Sequence, residues 1–234
     1  MNIQFYDNQY LSGAVPIELI AADASQQCPP AVLACDDPEV RQQLVDALVE
    51  RFDNGLPFSA LQMGELLDHA LVVDGKRRGA CNVALLVYHK RGATALQLGS
   101  GRIIQVRGHA RAMLYDSRDQ APDIYSSKAK VMEIVDIAND DFFIVTTATR
   151  FDTAAMVDIL SNASLSDEQK GVELAQLLAG TDASMLLQHI SEVTGVDGIA
   201  ITDLSAKWIV LTILLILAIA AVAAIAIFPK LLKF

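Results

Sequence analysis

The chain has 234 residues, with 28 acidic against 18 basic side chains and a formal net charge of −10. A surface that acidic is a poor match for nucleic acid or for anionic lipid headgroups, and it argues against either as a binding partner. Three cysteines, Cys28, Cys35 and Cys81, are an odd number without metal-ligand spacing; the apolar context of Cys35 and Cys81 reads as buried thiols in a reducing compartment.

Taken in order, residues 13–22 and 31–35 read as strands, separated by a turn at Gln26–Pro30 whose prolines cannot donate to a ladder. Asp37 then caps a helix with Pro38 in its first turn, and Val40, Leu44, Leu48 and Phe52 form one apolar face at spacing four. Asn54-Gly55 stops that helix. Ser59 starts a second, with Met63, Leu66, Leu67, Ala70 and Leu71 facing the core. Gly75–Gly79 is a basic turn, read as a solvated loop. Short runs at Cys81–Tyr88, Thr94–Leu98 and Arg102–Val106, joined by tight glycine turns, predict an antiparallel meander. Ala112–Tyr115 adds a strand within an otherwise polar stretch, 107–130.

Val131–Ile137 and Phe142–Thr147 read as a hairpin around Asn139-Asp140-Asp141. Asp152 or Thr153 caps a helix carrying Met156, Ile159 and Leu160, and Ser166 with Gln169 opens another through a capping box. Thr181 is expected to cap a third helix with Leu186, Leu187 and Ile190 apolar. A turn at Gly195–Gly198 leads to a last strand, Ile199–Ile201. Strands, two helices, a meander, helices and a strand fit an α+β fold of two sheets flanked by helices, and not a doubly wound parallel sheet.

The stretch from Trp208 to Phe228 carries no charge in 21 residues. As a helix it spans about 30 Å, the thickness of a bilayer's hydrocarbon core. Trp208 suits one interface; Lys207, Lys230 and Lys233 flank the ends, where they can snorkel. The alternative is a buried core helix. Two parts are therefore expected: a domain over 1–205 and a tail anchor over 206–234, with its span at 208–228. About six residues follow the span, so the expected topology is single-pass, with the N-terminal domain cytoplasmic. The first 21 residues lack the basic and apolar regions of a signal peptide. The alanines at 218–226 suit packing of the anchor on itself or on another membrane helix, beside an ordinary lipid-facing role.

Catalytic motifs are sparse. His69, His89, His109 and His189 show no metal-ligand spacing, and His69 and His189 are read as packing residues on helices. Gly99-Ser100-Gly101 lacks the extra glycine and lysine of a phosphate cradle and reads as a turn. Asp36, Asp152 and Asp197 stand at strand ends, where carboxylates from several strands can converge on a hard divalent ion. Aspartates also cap helices, so this signal is weak alone.

Four blocks, in order, resemble the PPM/PP2C family of metal-dependent serine/threonine phosphatases over about residues 13–203. AVLACDD at 31–37 resembles the strand ending in a metal-binding Asp-Gly. Residues 79–102 resemble the glycine–threonine–threonine strand, hairpin and glycine–aspartate–serine–arginine sequence. DFFIVTTATRFD at 141–152 resembles the threonine–aspartate–glycine block, and DGIAI at 197–201 the closing aspartate–asparagine strand. The resemblance implies a PP2C-like two-sheet β-sandwich flanked by helices and a two-metal centre.

The departures fall on that centre. Asp36 and Asp197 match metal-binding aspartates. Asp37 replaces the adjoining glycine, Ala148 stands where the second metal-binding aspartate belongs, and Thr149 replaces its glycine. Ser100 and Gly101 replace the aspartate and serine before Arg102, and the early arginine and asparagine–glutamate–aspartate signatures find no match. With a carboxylate lost, two neighbouring cations would repel with too little compensation. The expectation is a catalytically inactive, membrane-tethered module without a cofactor that binds a protein: a phosphoprotein, a kinase or a membrane assembly. Asp36 and Asp197 remain as ligands for one weakly held ion. The alternatives are an atypical Mn²⁺- or Mg²⁺-dependent phosphatase and a structural subunit with an unrelated α+β fold.

Overall fold

The computed structural model describes residues 2–5, 9–11, 13, 15–20, 31–56, 58–78, 81–89, 92–117, 129–148, 152–179 and 183–194. The chain divides into Met1–Gly195 and Val196–Phe234, and every described residue belongs to the first unit. In chain order the elements are β1 (Asn2–Phe5), β2 (Gln9–Leu11), β3 (Ile17–Ile20), β4 (Ala31–Cys35), α1 (Pro38–Asp53), α2 (Ala60–Ala70), β5 (Val72–Val73) and β6 (Lys76–Arg77). There follow β7 (Val83–His89), β8 (Gly92–Leu98), β9 (Arg102–Arg107), β10 (Ala112–Asp116), β11 (Lys130–Ile134), β12 (Asp141–Thr146), α3 (Thr153–Leu160), α4 (Asp167–Leu177) and β13 (Met185–Thr194).

Local chemistry sets the helix ends. The Asp37 carboxylate accepts from the N–H groups of Glu39 and Val40 at 3.0 and 3.1 Å. Ser59 with Gln62, and Ser166 with Gln169, form capping boxes that satisfy donors the first turn leaves unpaired. Asp152 caps α3 through Ala154 and Ala155. The basic turn is the β5–β6 hairpin; its arginines are partly exposed and pair outward, Arg77 with Asp68 at 2.8 Å and Arg78 with Glu39.

The strands form two larger sheets. One runs β1-β13-β12-β9-β10, with β2 also paired to β13; the other runs β11-β8-β7-β4-β3. Side-chain alternation separates three apolar clusters. Leu33, Val83 and Leu85 meet Val40, Leu44 and Leu48 of α1 and Met63 and Leu67 of α2. Val32, Ala34, Ala84 and Leu86 face Ile103, Phe143, Val145, Leu186 and Ile190 between the sheets. Ile104, Phe142, Ile144 and Met185 pack with Met156 and Leu160 of α3 and Leu174 of α4. The result is a helix–sheet–sheet–helix sandwich. Across its middle, Tyr88 meets Phe143 edge-on at 5.6 Å, and its hydroxyl donates to Gln188 Oε1 at 2.9 Å.

Three expectations are corrected. The meander holds only for β7 and β8; β9 pairs with β12 and β10, so Gly99-Ser100-Gly101 carries the chain from one sheet to the other. Gly99 has φ +66°, and a Cβ there would lie 2.1 Å from Asn82 Oδ1; a Cβ on Gly101 would meet Val83 and Ala84 backbone and side-chain atoms at 2.9 Å. The hairpin of Val131–Ile137 with Phe142–Thr147 does not form: β11 pairs with β8, and β12 joins the opposite sheet. Asp141 belongs to no surface turn. Its fully buried carboxylate accepts from Ala138 N at 2.9 Å, Gln105 Nε2 at 2.9 Å and Arg107 Nε at 2.8 Å. Finally, the apolar run expected to be a third helix is β13. A strand buried on both faces reads as a continuous apolar run, and period alone does not separate it from a buried helix.

His69 lies in α2 as expected, whereas His189 lies in a strand. The His189 ring stacks on Phe142 at 4.0 Å, and its Nδ1 is 2.7 Å from Asp167 Oδ2, tying β13 to the start of α4. The expected strand at 199–201, the Thr181 cap, the turn at 26–30 and the span at 208–228 lie outside the described residues. Among the described residues no helix is long and apolar enough to cross a membrane.

Candidate functional site

Strand register gathers the resemblance-bearing residues at one end of the sandwich. β4 finishes at Cys35, paired with Val83 at the start of β7, and Val83 also faces Leu98 at the end of β8. The 99–101 turn then delivers Arg102, which pairs with Thr146 at the end of β12. Asp36, Asn82, Ser100 and Ala148 therefore flank strand ends here, and Arg102 opens β9.

Asp36 is exposed, and Asn82 holds its carboxylate twice: the backbone N–H donates to Oδ1 at 2.8 Å and Nδ2 to Oδ2 at 2.6 Å. Asn82 Oδ1 in turn accepts from Ser100 N at 2.7 Å, which locks the crossover turn to the end of β4. Asp37 is occupied as a cap, and its carbonyl accepts from Arg41 N at 2.9 Å and from the Cys35 thiol at 3.4 Å. Arg102 points to the buried Asp116, with Nε 3.0 Å from each carboxylate oxygen. Tyr115, beside it, has its phenol pushed above the ordinary range by burial and by the Asp116 charge.

Ala148 is buried. Its methyl belongs to the apolar cluster with Ile144, Met156 and Leu160, and its N–H donates to Thr146 Oγ1 at 3.1 Å. The Thr146 hydroxyl donates to Ser184 O at 2.8 Å, and Ser184 N donates to Thr147 Oγ1 at 2.9 Å. The end of β12 is thus stitched to the start of β13 by polar bonds, with carbon at the Ala148 side-chain position. Thr149 and Asp197 lie outside the described residues.

Among the described residues at this end, the side chains do not fit a pair of hard divalent ions. Such a pair wants several converging oxygen ligands. Among the described residues the only group of three or more metal-ligating side chains is Cys35, Asp36 and Cys81, whose ligand atoms lie within 4.8 Å of one another. Spacing in the sequence does not reveal it, because Cys35 and Cys81 are 46 residues apart. Both thiols are buried, with Sγ atoms 3.6 Å apart. Their mutual hydrogen bond, with burial, drives Cys81 well above the ordinary thiol range; the same bond lowers Cys35.

No known sequence family and no curated relative matches the chain. Solved structures do. The PPM serine/threonine phosphatase MsPP of Mycobacterium smegmatis aligns at TM-score 0.51 and 13% identity, over 81% of this chain and 99% of that one. The photosystem II phosphatase PBCP aligns at 0.55 and 11%, over 82% and 100%. The Mycobacterium tuberculosis serine/threonine phosphatase PstP aligns at 0.53 and 8%, over 81% and 100%. The fold is therefore the mixed α+β, multi-sheet fold of the PPM/PP2C phosphatases. At these identities the likeness speaks to fold alone. It removes the alternative of an unrelated α+β fold.

Proposed function

We propose that the chain is a PP2C-like module, tethered to a membrane by its C-terminal segment, that binds a protein partner without two-metal phosphatase chemistry. The observation that carries this reading is Ala148. Where the resemblance puts a metal-binding aspartate, the chain has a methyl group buried among apolar side chains. The occupied Asp37 and the substitutions at Ser100 and Gly101 support it. A hard ion at this end would find Asp36, and Asp197 by resemblance, so it would be held weakly if at all. The uncharged run 208–228 supports a single-pass anchor; the domain on the cytoplasmic side is part of the same proposal. A phosphoprotein, a kinase or a component of a membrane assembly is the class of partner this arrangement fits.

One feature favours the second reading, an atypical Mn²⁺- or Mg²⁺-dependent phosphatase: the Asp36 carboxylate is retained at its strand end and oriented by Asn82. Phosphate release from phosphopeptides and from an aryl phosphate separates the two. With purified full-length chain and millimolar Mn²⁺ or Mg²⁺, release is expected to equal the protein-free background. Metal-dependent turnover that Asp36→Asn abolishes would establish the enzyme reading instead.

A further inference from the structure

We propose that Cys35, Cys81 and Asp36 form a site for one thiophilic divalent cation of the zinc class. The site goes beyond the reading above: it shares Asp36 with that reading but needs neither Ala148 nor Asp197 and makes no claim about phosphate chemistry.

The thiol geometry is the first argument. Cys35 is the last residue of β4 and pairs with Val83, so Cys81 sits diagonally across the ladder on the same face. Both side chains lie in the cluster beneath α1 and α2, and the sulfurs are 3.6 Å apart. A tetrahedral zinc ion with Zn–S bonds of about 2.3 Å requires its two sulfurs about 3.8 Å from each other. The pair is therefore spaced to take an ion with almost no backbone movement.

The carboxylate is the second argument. Two buried thiols alone are ordinary core packing. Here an exposed aspartate brings a third donor to within 4.8 Å of both. Asn82 fixes that carboxylate with two hydrogen bonds and is itself fixed by Ser100, the outer arrangement that orients a ligating group. Two sulfurs and one oxygen form a soft donor set that selects zinc-like ions over Mg²⁺ or Mn²⁺. Binding exchanges two S–H protons for two metal–sulfur bonds and releases both protons. Three protein ligands leave a fourth position for water or another donor.

Cobalt(II), a spectroscopic stand-in for zinc, tests this on reduced, metal-free full-length chain under anaerobic conditions. One equivalent is expected to produce a near-ultraviolet sulfur-to-cobalt charge-transfer band with intense visible bands of tetrahedral coordination, and one equivalent of Zn²⁺ is expected to erase both. Cys81→Ser should remove about half the charge-transfer intensity. Asp36→Asn should keep the sulfur band and weaken cobalt binding on the order of tenfold or more. Cys28→Ser should change nothing. The wild-type spectrum decides the matter even if a variant fails to fold. A weak oxygen-ligand spectrum without charge transfer, or no spectral change, overturns the proposal. So does loss of the band in Cys28→Ser.

Discussion

Asp116→Ala is expected to destabilise the domain by about 3–5 kcal/mol, read by denaturant unfolding of the full-length chain in mild detergent followed by circular dichroism. Asp116 is fully buried and Arg102 nearly so, their side chains 0% and 10% exposed. Arg102 Nε lies 3.0 Å from both carboxylate oxygens. Removing the carboxylate takes the Asp116 charge and its hydrogen bonds away from a guanidinium that stays largely buried. The cost comes mostly from the weakened compensation of a buried charge, so the double replacement Arg102→Met with Asp116→Leu should recover most of the loss. A loss below about 1 kcal/mol in the single variant would mean that Arg102 finds another anion or reaches solvent. The same ion pair holds the arginine that closes the block resembling glycine–aspartate–serine–arginine.

Leu44→Ala is expected to cost about 2–5 kcal/mol. Leu44 is fully buried in the middle of α1, packed between Val40 and Leu48 in the cluster that joins both N-terminal helices to the β4–β7–β8 sheet. Truncation removes buried methyl groups and leaves a cavity that α1, fixed by its Asp37 cap, cannot collapse to fill. The same unfolding experiment measures it, and a change below about 0.5 kcal/mol would put the load on other residues of the helix.

The contrast between Leu44 and Asp116 shows which parts of this chain could be read from sequence. α1 is local: Asp37-Pro38 at its start, apolar residues at spacing four and Asn54-Gly55 at its end all lie within one short stretch. The capping boxes at Ser59 and Ser166 are local in the same way. Asp116 sits in a mixed polar segment, and its burial depends on Arg102 arriving across the β9–β10 pairing. Sheet membership was equally non-local. Leu98 and Arg102 are four residues apart but belong to opposite sheets, because the 99–101 turn crosses the sandwich instead of closing a hairpin. β13 failed for another reason: its first residues are buried on both faces, which erases the alternation that marks a strand.

At the candidate site, Asp36 at a strand end and the missing carboxylate at Ala148 were legible as positions in an ordered pattern. The surroundings of Ala148 were not, since Met156 and Leu160 of α3 and the Ser184 stitch come from distant sequence. The Cys35–Asp36–Cys81 group was hidden for the same reason. Only the register that sets Cys35 against Val83 brings Cys81 beside it.

In the proposed reading, the PP2C-type fold no longer holds two hard ions. Calorimetric titration of Mn²⁺ into the purified full-length chain tests it most directly. Either no resolvable event is expected or one weak event, saturating only at millimolar Mn²⁺ and diminished by Asp36→Asn. Two stoichiometric binding events at lower concentration would contradict it, because they would require carboxylate ligands to converge at the end of β12 despite the methyl of Ala148.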